Sequence, residues 1–203
     1  MLVGSETIEV ISSSASDDGS PAGTGARTVK VTYIDTNWAI QQTADITLNG
    51  LTAVTVMAGG MLLPLWFEVT AVGSGLVAAG TITLRTNAPV TLSQITAGSN
   101  KSLDAIFLVP EGYSAYVPFW SAGAVANSQD VRLRATVDSY TRAQGTVYHF
   151  IDNMHVAGNA DRNENLPWLK FSQYSFIKVS TKSSSTAGTT RCDADFWVII
   201  IQD

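Results

Sequence analysis

A chain of 203 residues with 45% apolar and 14% charged residues can build a real core, and its charge is well under the roughly 25% of an average globular protein. The net charge of −5 disfavours phosphate backbones, whose binding needs clustered Lys and Arg, so nucleic acid is not an expected partner. Cys192 is the single cysteine, which excludes an internal disulfide and any multi-cysteine metal knuckle.

Polarity comes instead from Ser, Thr, Asn, Gln and Gly, a composition suited to pleated strands and tight turns. No basic segment followed by an apolar stretch opens the chain, and the longest apolar run, Met61 to Phe67, falls far short of the roughly 20 residues that span a bilayer. A soluble, non-secreted chain without a membrane partner is therefore expected.

Taken in order, residues 1–26 read as a flexible N-terminal arm with one short strand around Ile8 and Val10, because Ser12 to Gly25 is rich in Ser, Asp, Gly and Pro. Asp17-Asp18-Gly19 lacks the alternating ligands and distal glutamate of a calcium loop. Residues 27–203 then read as a single β-sandwich domain. Arg27 to Asp35 alternates cleanly, Val29, Val31 and Tyr33 against Thr28, Lys30 and Thr32, which is the period of a half-buried strand. Around Asn49-Gly50 a hairpin is expected, with a three-residue loop pairing Ile46 with Val54 so that the apolar set stays on one face.

Met61 to Thr70 is a strand that Pro64 marks as an edge or a bulge. Thr81 to Arg85, with Ile82 and Leu84 inward, and Val90 to Ile95 follow. From Leu103 to Val137 three extended runs cross the turns Pro110-Glu111-Gly112 and Ser121-Ala122-Gly123, and the last alternates Val131, Leu133, Ala135 and Val137 with Arg132, Arg134 and Thr136. Such a stretch predicts an antiparallel meander. Thr146 to Ile151 and Phe171 to Thr181 are further strands, and Ser183 to Gly188 is a loop. Asp195 to Ile201 is apolar on both parities, as in a strand covered on both sides by a second sheet or by a neighbouring subunit.

No window carries the spacing of an amphipathic helix, and no internal repeat is evident. The expected fold is all-β, an antiparallel two-sheet sandwich, jelly-roll-like, with little or no helix.

Chemistry-bearing motifs are sparse. His149, Asp152 and His155 match no metal spacing, Cys192 lacks a catalytic signature, and Gly23 to Ala26 lacks the Lys and Ser/Thr of a phosphate loop. No catalytic residue, metal or cofactor is expected, and the chain reads as a non-enzyme. The candidates are contact residues: Trp168, Arg162 and Asn165 in a long polar loop from Ala157 to Lys170, Trp66 as an aromatic anchor, and the Arg132/Arg134 face. Trp38 and Trp120 are anchors of the same kind, with burial in the core as the competing reading.

Ser12 to Ser14, Ala22 to Val29, Val31 to Asp35, Ile46 to Val54 and Ile106 to Tyr113 together resemble a family of small structural proteins of tailed, especially aquatic, bacteriophages. The resemblance covers the first two thirds of the chain and rests on turn and strand motifs, so no functional residue carries over. It implies a virion component made in the host cytoplasm: a capsid decoration (cement) or head-spike protein that binds capsid or tail proteins of the same particle as a homo-oligomer, by family habit a trimer. The alternative is a tail-associated receptor- or glycan-binding module.

Overall fold

A computed structural model describes residues 6–102, 104–125, 129–135, 149–157, 160–166, 169–183 and 191–203. Among them the chain is all-β, without helix. It divides into two compact units, Met1–Asp104 and Ala105–Asp203. Each has its own hydrophobic core, and each core draws residues from two antiparallel sheets. This two-unit division differs from the single domain expected over 27–203. Alternation along a strand reports which face is buried, without saying in which core.

The first unit contains β1 (Thr7–Ser12), β2 (Ala26–Asp35), β3 (Ile40–Gln42), β4 (Ile46–Thr47), β5 (Val54–Ala58), β6 (Met61–Val72), β7 (Ile82–Thr86) and β8 (Thr91–Ile95). One sheet runs β5-β1-β7-β8; in the other, β2 is flanked by β3 and β4 on one side and by β6 on the other. Ile8, Val10, Ile82, Leu84 and Ile95 of the first sheet close on Val29, Val31 and Phe67 of the second. β6 meets the proline expectation: the register steps from Thr32↔Trp66 to Tyr33↔Pro64, leaving Leu65 as the extra residue of a bulge.

Two expectations for this unit are corrected. Asn49-Gly50 does turn the chain, with the Thr52 amide donating to the Asn49 carbonyl at 2.9 Å and Gly50 at φ 51°, but β4 pairs with β2 and β5 with β1. The turn carries the chain between sheets and makes no hairpin. The second concerns the supposed arm. β1 lies inside its sheet, and the Asp17 side chain is fully buried. The Asp17 carboxylate accepts hydrogen bonds from Ser12 Oγ (2.6 Å) and from the amides of Ala26 (2.7 Å), Ala79 (2.8 Å) and Gly80 (2.8 Å). A Cβ on Gly25 would collide with that carboxylate, so only glycine fits beside the clasp. Asp18 is spent on the neighbouring turn, where its Oδ1 accepts from the Ser20 amide at 2.8 Å.

The second unit contains β9 (Ile106–Leu108), β10 (Tyr113–Val125), β11 (Gln129–Ala135), β12 (His149–Val156), β13 (Ala160–Asn165), β14 (Lys170–Phe171), β15 (Phe176–Ser183) and β16 (Arg191–Gln202). One sheet runs β12-β11-β15-β9; in the other, β10 is flanked by β13 and β14 on one side and by β16 on the other. The expected meander is corrected here: β9 and β11 both pair with β15, while β10 lies in the opposite sheet. Its inner residues nevertheless face the core as the alternation requires, with Val131, Leu133 and Ala135 buried. Val137 lies outside the described residues. The run expected as one strand from Phe171 to Thr181 is broken by a turn in which the Ser175 amide donates to the Ser172 carbonyl at 3.1 Å and Tyr174 takes φ 65°. Residues 146–148 and 184–190, part of an expected strand and loop, are also outside the described set.

The two units share a strand plan that no sequence repeat announced. In each, a long strand (β2, β10) carries two short strands on one edge and a long one (β6, β16) on the other, while the first strand (β1, β9) pairs with the strand just before that long partner (β5, β15).

Candidate interaction surface

The contact residues singled out from sequence fall in both units, Trp66 in the first and Arg132, Arg134, Arg162 and Asn165 in the second. Trp66 is half-buried on β6 of the first unit, with the Lys101 ammonium 5.3 Å from its ring centroid and Lys101 also 3.9 Å from Glu68. Its face is already covered by a cation of the same chain. Arg132 and Arg134 are half-buried on the outer side of β11, opposite Ser180 and Lys178 of β15. Beside them the ring of His155, exposed on β12, brings Nδ1 within 2.9 Å of the Asp130 carboxylate.

Arg162 and Asn165 correct the expected loop. Ala160–Asn165 is a strand because β10 is long enough to offer an edge to it, pairing Ala122 with Arg162 and Phe119 with Asn165. Both side chains are exposed, and Arg162 Nη1 donates to the His155 carbonyl at 3.3 Å. Trp168 lies outside the described residues. Of the other anchors, Trp120 is wholly buried and donates from Nε1 to Asp152 Oδ2 at 3.0 Å, and Trp38 is buried at φ 66°. The described residues hold no group of three or more His, Cys, Asp or Glu side chains placed to share a metal ion.

The surface that does assemble is on β16, which pairs with β10 alone among the described strands and forms the edge of its sheet. Ala194, Phe196 and Val198 pack toward the core. On the other parity Trp197 is 68% exposed, Ile199 40% and Ile201 50%; Ile200 is 49% exposed. The neighbouring strand extends the stripe, because Phe119 pairs with Trp197 and Tyr116 with Ile199, and the Phe119 and Trp197 rings meet edge to face at 6.2 Å.

Polar groups close both ends. Ser121 Oγ donates to the Asp195 carboxylate at one end. At the other, Asp203 accepts from Ser114 Oγ at 2.6 Å and lies 3.4 Å from the Lys170 ammonium. The Ser114 hydrogen bond, helped by Lys170, holds the Asp203 carboxyl below its ordinary range.

The strand itself was expected and is present, but among the described residues only one of its faces is covered. Trp197 is the functional candidate that sequence reasoning passed over, although its signal was there: an apolar run on both parities needs two partners, and a single core supplies one. Comparison with known protein families, curated proteins and solved structures returns no match.

Proposed function

We propose that this chain is a non-enzymatic structural protein of a tailed-phage particle. In this reading it is a jelly-roll-like capsid decoration, cement or head-spike protein, made in the host cytoplasm and built into the virion, where it binds capsid subunits as a homo-oligomer. The strand and turn motifs motivate the phage assignment. The observation that supports a contact function is the uncovered apolar face of β16, with Trp197, Ile199 and Ile201 outward, since a patch of this kind on a soluble protein marks a docking site. Mass spectrometry of purified virions is expected to find the chain at a fixed stoichiometry to the major capsid protein; its absence from the particles rejects the assignment.

A second reading, a tail-associated receptor- or glycan-binding module, draws on the same exposed Trp197 indole, which offers a flat stacking surface. It requires binding on a glycan array that Trp197→Ala abolishes; an array without signal removes it.

A further inference from the structure

We propose that β16 is a self-association edge, onto which a second copy of this chain adds its own β16 antiparallel about a two-fold axis at Ile199. The first unit supplies an internal precedent. Its counterpart strand, β6, does not leave its outer edge bare: residues 100–102 run along it, with the Ser102 amide donating to the Phe67 carbonyl and the Val69 amide to the Asn100 carbonyl, each at 2.8 Å. Among the described residues nothing equivalent lies along β16. A twelve-residue strand with an open row of backbone donors and acceptors and an apolar outward parity is a template for strand addition.

Register selects the occupant. A two-fold axis at Ile199 sets Ile199 against the partner's Ile199 and Trp197 against the partner's Ile201, so the outward apolar residues of both copies join in one ladder. Shifting the axis to Trp197 instead places Ile199 against an aspartate, the partner's Asp195. With the axis at Ile199, Asp195 faces the partner's Asp203 at each end, a like-charge pair that the partner's Lys170, 3.4 Å from Asp203 within its own chain, offsets in part.

The outward side chains also fit a second copy. Directly opposed residues of an antiparallel pair hold their Cβ atoms about 4.5–5.5 Å apart, so edge pairing brings the exposed side chains of Trp197, Ile199 and Ile201 flank to flank with those of the second copy and covers the strand backbone between them.

This deepens the proposed oligomeric virion subunit by naming its contact surface, and rests on that reading only for biological setting. A dimer in solution can stand if the chain proves absent from virions. Sedimentation velocity of the full chain over micromolar to several hundred micromolar concentration is expected to show twice the monomer mass at the upper end. Ile199→Lys, which puts two ammonium groups at the axis, is expected to weaken association at least tenfold with an unchanged circular dichroism spectrum, and Lys170→Glu severalfold. In a Cys192→Ser background, Ile199→Cys is expected to form an intermolecular disulfide on mild oxidation, because directly opposed residues of an antiparallel pair lie within disulfide reach; Ile40→Cys, exposed in the first unit, is not. A chain that stays monomeric throughout, an Ile199→Lys variant that associates as before, or a trimer in which Ile199→Cys does not cross-link would each overturn the proposal.

Discussion

Removal of the Asp17 carboxylate tests whether the Ser12–Gly25 segment is a structural clasp. In Asp17→Ala the amides of Ala26, Ala79 and Gly80 and the Ser12 hydroxyl lose their common acceptor. Each buried polar group left without a partner costs about 1–3 kcal/mol, so four give at least about 4 kcal/mol. Against this, alanine avoids the desolvation of a buried charge, a compensation of a few kcal/mol at most because the wild-type carboxylate is fully hydrogen-bonded. The expected loss is about 3–5 kcal/mol, within the range measured when one partner of a buried charged pair is deleted, and a large share of the roughly 5–15 kcal/mol that stabilises a domain. Asp17→Asn keeps the shape and one acceptor oxygen but turns an amide NH₂ toward the other donors. The Ser12 hydroxyl can rotate to accept from it and the Gly80 amide cannot, so about 2 kcal/mol is expected. Urea unfolding followed by circular dichroism reads both variants, and for a unit of this size a loss of 3 kcal/mol lowers the melting temperature by at least about 12 °C. An Asp17→Ala protein within 1 kcal/mol of wild type would refute the clasp.

Two further substitutions probe the second unit. Trp120→Phe removes the indole N–H that reaches Asp152 and leaves a void where a wholly buried side chain stood, so a loss of about 2–4 kcal/mol is expected in denaturant titration; a change under 1 kcal/mol contradicts that packing. The Asp203 carboxyl is expected to titrate below its ordinary value by carboxyl NMR, and Ser114→Ala to move it back up, because the Ser114 hydroxyl is the main cause of the shift. A folded value below the unfolded one means that this contact stabilises the fold above the ordinary carboxylate range and is lost as pH falls through the folded value. A titration unmoved by Ser114→Ala removes this cause.

The all-β character of the described residues and the positions of most strands were legible in the sequence. Thr81 to Arg85 and Val131 to Ala135 alternate so regularly that their inner residues could be read directly, and Pro64 announced the bulge on β6. On Arg27 to Asp35 the expected parity holds for Val29 and Val31, but the register shift between Thr32 and Tyr33 turns it over, burying Thr32 and Ile34 and leaving Tyr33 half-buried. Pairing was not legible. A period of two fixes which side chains share a face, but Ile46 and Val54 satisfy it equally as hairpin partners and as members of opposite sheets. Polar loops conceal burial in the same way. Asp17 sits in a stretch whose composition matches a solvated arm, and only the folded backbone gathers three amides and a hydroxyl around it.

The amino-acid order thus determined strand identity, inward and outward parity, and the doubly apolar character of Asp195 to Ile201, because these depend on neighbours along the chain. Tertiary structure alone decided that there are two cores, that Ala160–Asn165 joins β10 as a strand, and that among the described residues one face of β16 stays open. Those outcomes depend on which distant segments meet and on how much apolar surface one core can cover, and neither quantity is local to any stretch of sequence.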